Sequence, residues 1–143
     1  MLFRSNPPTQ ISSKPTGNKY NAPLGINEAL ITQHKIPWDS CLSKLDNLRK
    51  VSISPWCDEE FMGEMLAGSK VIYHRKPSPN YLGVGTSLDE DGLRASLRKT
   101  FQAARGCKLE ITQRDVYTIN GDIGKAKRYV DIVKEEIEMN WKG

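Results

Sequence analysis

The 143-residue sequence predicts an α/β fold built from three consecutive βα units behind a tail. Three observations predict it. Short runs rich in β-branched and aromatic residues alternate with longer runs whose apolar residues recur at helical spacing. Proline or glycine punctuates nearly every junction. The resulting order of strand, helix, strand, helix, strand, helix implies parallel strands joined by right-handed crossovers.

The first unit opens at Leu48–Ser54, where Val51 and Ile53 share one parity and Lys50, Ser52 and Ser54 the other; Pro55 closes the strand. Asp58, Glu59 and Glu60 then place acid in a first helical turn. Phe61, Met62, Met65 and Leu66 repeat at helical spacing until Gly68 offers a left-handed stop. The second unit runs from Lys70 through Val71, Ile72 and Tyr73 to His74, Arg75 and Lys76, and halts at Pro77-Ser78-Pro79-Asn80. After a glycine-rich loop, Ser87 and Glu90 have the spacing of a capping box, and Leu93, Leu97, Phe101 and Ala104 form an apolar stripe ending at Gly106. In the third unit Leu109 and Ile111 alternate with Glu110 and Thr112, followed by Gln113, Arg114 and Asp115 at the strand end. Its helix carries Ala126, Val130, Val133, Ile137 and Trp141 as the expected buried stripe.

Residues 1–35 read instead as a tail. Pro7, Pro8, Pro15, Gly17, Pro23 and Gly25 interrupt every candidate element, and Asn, Ser and Thr fill the gaps. The opening Met1-Leu2-Phe3-Arg4-Ser5 is also what the end of a common sequencing adapter encodes in frame, so the segment is read as a disordered terminus or an artefact. The expected folded part is 36–143.

Composition narrows the function classes. The chain is 38% hydrophobic and 27% charged, with a mean hydropathy of -0.55, the balance of a soluble domain. It has no apolar run long enough for a membrane span and no secretory leader pattern. Its 3 cysteines include no CxxC pair, so the expected compartment is the cytoplasm. The positive charge is concentrated in the tail, where Arg4, Lys14, Lys19 and Lys35 face only Glu28; the remainder is nearly balanced. Without a one-sided basic stripe or interleaved aromatics, no nucleic-acid partner is expected.

Two architectures satisfy the element order: a small doubly wound sheet, or a sector of a (β/α)8 TIM barrel, whose complete form takes about 250 residues. Parity favours the barrel. Strands sandwiched between helical layers are apolar on both faces, whereas here Ser52 and Ser54, His74 and Lys76, and Glu110, Thr112 and Arg114 make one face polar. Reactive groups of barrels gather at the carboxyl ends of the strands. The candidates there are Trp56 after the first strand, His74 and Lys76 at the second, and Arg114 and Asp115 at the third. Rigid Pro turns beside cations hold charge in place for an anionic ligand, which points to acidic substrates.

Each candidate also has a plainer reading. Trp56 packs at a barrel rim or stacks on a planar ligand. His74 is a hydrogen-bonded interior histidine or an acid-base group. Lys76 neutralises a substrate or balances Glu110 inside the barrel. Arg114 binds a carboxylate or pairs internally with Glu110. Asp115 binds a ring nitrogen or a water, but as adjacent strand residues Asp115 and Arg114 point to opposite faces and cannot act as one pair. Gly83-Val84-Gly85 lacks the third glycine of a dinucleotide fingerprint and reads as a loop.

From Leu48 onward the chain resembles the last three βα units of the uroporphyrinogen decarboxylase superfamily, which also holds the cobalamin-dependent methyltransferases. The resemblance lies in Val51-Ser52-Ile53-Ser54-Pro55-Trp56, Arg75-Lys76-Pro77-Ser78-Pro79-Asn80, Ala104-Arg105-Gly106-Cys107 and Arg114-Asp115-Val116-Tyr117. It covers about two thirds of the chain and fits the unassigned decarboxylase-like branch best. It implies a C-terminal fragment of a complete barrel, inactive by itself, whose parent decarboxylates a carboxylate-rich tetrapyrrole in porphyrin biosynthesis or moves methyl groups from a methylated small molecule to a corrinoid protein. The family's arginine motif and substrate-holding aspartate would lie upstream. No cofactor is expected in this chain, although a corrinoid is compatible with the parent. The methyltransferase branch binds zinc through His-x-Cys and a later Cys; here His34-Lys35-Ile36 stands instead, and Cys107 reads as a buried structural thiol, so no metal site is expected. The alternative function is a non-catalytic α/β interaction module that packs on a partner through an exposed strand edge.

Overall fold

Ile26, Val51, Ile53 and Tyr73 share one parity of their strands and are buried, and around them the chain organises a single sheet. The computed structural model describes residues 22–143. Four strands, β1 (Leu24–Asn27), β2 (Leu48–Ile53), β3 (Ile72–Arg75) and β4 (Lys108–Ile111), lie in the order β1-β2-β3-β4, every neighbouring pair parallel. The connecting helices are α1 (Ala29–Thr32), α2 (Glu59–Leu66), α3 (Asn80–Gly83), α4 (Glu90–Ala103) and α5 (Ile123–Asn140), with a 3-10 turn at Leu42–Lys44.

The α/β class therefore stands, with four strands in place of three. The additional strand falls inside the segment read as a tail, so the folded part begins near Leu24 and not at residue 36; residues 1–21 lie outside the described residues. Its signal was weak for a physical reason. Only Ile26 of Leu24-Gly25-Ile26-Asn27 is buried, so no alternation exists to be read. The strand is held from outside by pairing with β2 and by the Leu24 amide donating to the Asn47 carbonyl at 2.8 Å.

A strand order without reversal separates this sheet from a doubly wound one, where the chain turns back at a switch point. The helices share one face. Met62 and Leu66 of α2 pack with Val51, Ile53 and Tyr73, while Leu93, Leu97 and Phe101 of α4 meet Tyr129, Ile132 and Val133 of α5 beneath Leu109 and Ile111. The opposite face carries Asn27, Ser52, His74 and Glu110, aligned across the four strands by their register.

Two local expectations are corrected. The N-cap of α4 is Asp89, whose Oδ1 accepts from the Gly92 amide at 3.0 Å, and not Ser87; Glu90 reaches Arg128 on α5 rather than back to its own cap. The buried face of α5 is Lys125, Ala126, Tyr129, Ile132, Val133 and Glu136, leaving Val130 half-buried and Ile137 exposed. The α5 face turned to α4 instead holds Glu136, fully buried and receiving Arg94 at 2.9 Å and Arg98 at 2.9 Å. Burying a carboxylate there is possible because two guanidiniums and Asn140 saturate it.

The stops after α2 and α4 are as expected: Gly68 and Gly106 have φ of +71° and +80°, and the Gly68 amide donates to the Gly106 carbonyl at 3.0 Å. Among the described residues no helix is long and apolar enough to cross a membrane.

Candidate functional site

The uncovered polar face forms a cavity of about 560 Å³ lined by Gly25, Ile26, Asn27, Lys50, Ser52, His74, Lys76, Thr112, Gln113 and Arg114. It lies over the carboxyl half of the sheet because register places these residues there. Asn27 sits opposite Ser52, Ser52 opposite His74, and His74 opposite Glu110. The ladder continues one step beyond the strands. The Lys76 amide donates to the Ile53 carbonyl at 2.9 Å, and that of Thr112 to the Arg75 carbonyl at 3.0 Å.

Of the candidates read from sequence, His74, Lys76 and Arg114 are brought together here. Trp56 and Asp115 are not. Trp56 is 83% exposed on the turn after β2, neither packed at a rim nor lining the cavity. Asp115 is exposed, with a left-handed φ of +61°, in the loop after β4. That strand ends at Ile111, so strand alternation no longer governs Arg114 and Asp115; it is the loop path that leaves only Arg114 over the cavity.

Glu110 settles the question of internal pairing. Its carboxylate is taken by Lys50 at 2.9 Å and Arg49 at 3.5 Å, both from β2. The side chains of Lys76 and Arg114, each expected as a partner of Glu110, make no hydrogen bond or ion pair among the described residues. Burial and the neighbouring Arg114 charge hold the Lys76 ammonium below its ordinary pKa against the opposing pull of Glu28 and Asp115.

His74 is buried, and its Nε2 lies 2.8 Å from the Thr112 hydroxyl and 3.8 Å from Glu110. Burial first, then the Lys50 charge, lower its pKa to about 4 against the opposing pull of Glu110, so the ring is neutral at pH 7. Arg75, between His74 and Lys76 in sequence, faces the helices instead. It pairs with Glu59 at 2.9 Å and donates to the Ser54 carbonyl at 2.6 Å. Thus the run His74-Arg75-Lys76 supplies one cation to the cavity and one to the core.

Sequence reasoning missed Lys50, Asn27 and Gln113 as lining groups. Lys50 shares the parity of Ser52 and was open to the same reading, whereas Asn27 lay in the presumed tail. Gln113 is placed by α5, whose Tyr129 hydroxyl donates to Gln113 Oε1. Among the described residues three buried polar side-chain atoms are shut from solvent without a partner: Ser52 Oγ, Arg75 Nε, and Oε2 of Glu28, whose Oε1 accepts from the Ser54 amide at 3.3 Å.

Cys107 is buried as expected and donates to the Gly63 carbonyl at 3.4 Å. Cys57 is half-buried; burial, reinforced by Glu28, pushes its thiol up to about 11, so it is no thiolate nucleophile at neutral pH. Among the described residues no group of three or more His, Cys, Asp or Glu side chains converges to hold a metal.

Comparison of the chain with protein-family models, with curated proteins and with solved structures finds no match.

Proposed function

We propose that the four βα units are a sector of a (β/α)8 barrel, with the polar face of the sheet on its inside, and that this sector contributes an anion-binding site to an enzyme of the uroporphyrinogen decarboxylase and cobalamin-dependent methyltransferase type. Sequential strand order, helices on one face and a polar opposite face are the features of a barrel wall, and they support the reading. One observation carries the functional part. Lys76 and Arg114 stand at the strand ends over the cavity with no carboxylate in ion-pair contact among the described residues, Glu28 and Asp115 acting on Lys76 only from farther off, while the deeper Lys50 is paired with Glu110. A ligand carboxylate or phosphate would supply the missing charge through charge-assisted hydrogen bonds.

The substrate is then an acidic small molecule. In the full-length parent the chemistry is decarboxylation of a carboxylate-rich tetrapyrrole or methyl transfer to a corrinoid, with Lys76 and Arg114 as substrate-binding groups in either case. The test is a titration of the purified chain with coproporphyrin, followed by fluorescence quenching, in parallel with methylcobalamin to separate the two chemistries. Saturable porphyrin binding that weakens about tenfold or more in a Lys76→Ala/Arg114→Ala variant is expected. An affinity indifferent to both substitutions discards the site.

The alternative reading, a non-catalytic module, draws on a different observation. Ile123, Ile137 and Met139 leave exposed apolar surface on α5, and among the described residues β1 and β4 have no strand along their outer edges. A barrel wall separated from its neighbouring staves has these same features, so the cation pair is what favours the enzyme reading.

A further inference from the structure

Resting on the barrel-sector and acid-binding reading, we propose that two copies of this chain close on each other, β4 of each beside β1 of the other, into one eight-stranded barrel whose shared interior takes one polycarboxylate ligand per pair of chains. In a longer parent the same staves would come from upstream; for the chain itself a second copy takes their place.

Three observations select a second copy as the occupant. The first is strand number and sense. Four strands, all parallel and in sequential order, are half of an eight-stranded wall. A two-fold axis along the barrel keeps every strand pointing the same way, so it sets β4 parallel to the other copy's β1 at both junctions at once and leaves no edge. An unrelated partner would have to bring both kinds of edge.

The second is the edge of β1. Leu24-Gly25-Ile26-Asn27 carries none of the charges or prolines that guard a solvent-facing edge. Its outward amides are those of Gly25 and Asn27, because the amides of Leu24 and Glu28 donate the other way, to the Asn47 and Ser52 carbonyls at 2.8 and 3.1 Å.

The third is the helix layer. Ile123, Val130 and Ile137 are seven residues apart and follow one line along α5, roughly opposite the line of Arg128 and Glu135 that reaches α4. Ile123 and Ile137 are exposed and Val130 is half-buried. A right-handed crossover carries α5 from β4 toward the next strand, so this line would lie over the other copy's β1, where Leu24 is exposed as well. Each junction thereby covers apolar surface from both chains.

Closure also completes the site. The cavity is walled by residues from β1 to the loop after β4, Lys76 and Arg114 among them. In the closed pair two such sets of cations share one interior. A single carboxylate would leave most of that charge facing itself, whereas three or four carboxylates at separated positions neutralise both sets. Ligand and closure are therefore linked: a polycarboxylate tightens the dimer, and the dimer binds it more tightly than one chain does.

Analytical ultracentrifugation of the full chain, alone and with the tetracarboxylate coproporphyrin, tests this. The expected result is an association that stops at the dimer, one porphyrin bound per two chains, and a dimer dissociation constant lowered about tenfold or more by saturating ligand. Gly25→Pro, which removes an outward amide of β1, should abolish the dimer; chains joined through two β4 edges would be indifferent to it. Ile123→Glu/Ile137→Glu, away from the strands, should weaken the dimer about tenfold or more, and carries the test if amide spectra of the 15N-labelled Gly25→Pro chain show loss of the fold. A strictly monomeric chain, growth past the dimer, or a dimer untouched by the folded variants overturns the proposal. One porphyrin per chain, with binding sensitive to Lys76→Ala/Arg114→Ala, discards the closed pair and keeps the acid-binding reading. Porphyrin binding indifferent to those two substitutions, or no binding, discards the acid-binding reading and the shared site with it.

Discussion

His74 couples the polar face to pH. Its folded-state pKa of about 4 lies below the roughly 6.5 of an unfolded histidine, so between those values the unfolded chain binds a proton that the folded chain does not. Stability is therefore retained above pH 6.5 and lost progressively as pH falls toward 4, where the contribution levels off. Urea midpoints measured from pH 7 to 4 should fall in the native chain and fall less in His74→Gln, which keeps a hydrogen-bonding side chain without the proton uptake. Equal slopes in the two proteins would remove His74 as the titrating group. Of this residue-scale picture, the sequence displayed the parity of His74, Lys76 and Thr112. It did not display Lys50 as the owner of Glu110, because that choice depends on which strand lies beside which.

Elements are joined by contacts that strict periodicity does not describe. Glu59 opens α2 and is buried against β3, where it holds Arg75 at 2.9 Å and the Thr100 hydroxyl of α4 at 2.6 Å. Removing one member strands the other as a buried charge. Glu59→Ala should destabilise by about 3 to 5 kcal/mol, whereas the paired Glu59→Leu/Arg75→Met replacement should cost much less or nothing. Chemical denaturation of both variants checks this, and equal losses would show that packing, not charge compensation, sets the cost. Gly63 makes a second such joint. A Cβ there would lie 1.8 Å from the Ala103 carbonyl oxygen, inside van der Waals contact, so α2 and the end of α4 cross at a distance that only glycine allows. Gly63→Ala is expected to cost about 3 kcal/mol by forcing the helices apart, visible as a thermal midpoint lower by on the order of 10 °C. In the sequence Gly63 interrupts a helical stripe without announcing why, since its reason lies on another helix.

At the scale of the whole molecule, the described helices all pack on one face of the sheet. Among the described residues its outer strands have no neighbour on one edge, and α5 exposes Ile123 and Ile137. Surfaces of this kind associate. Light scattering over a concentration series should show self-association of the purified chain, reduced in Ile123→Glu/Ile137→Glu; a strictly monomeric protein at every concentration would contradict this. The same exposure explains the shifted stripe on α5. The apolar arc from Ala126 through Val130 and Ile137 to Trp141 is wider than the face buried among the described residues.

What the sequence by itself determined is the α/β class, the parallel connection, the three longer helices and the polar parity that lines the cavity, because local periodicity and punctuation encode each of them. Only the tertiary structure decided that Leu24–Asn27 is a strand, that Glu110 belongs to Lys50 and Arg49, that Trp56 and Asp115 stay outside the cavity, and that Glu136 and Glu59 are buried. The physical reason is common to the strand, the ion pair and the buried carboxylates. A short strand, an ion pair and a buried carboxylate are each stabilised by partners far away in the chain, and the energy that selects them is absent until those partners meet.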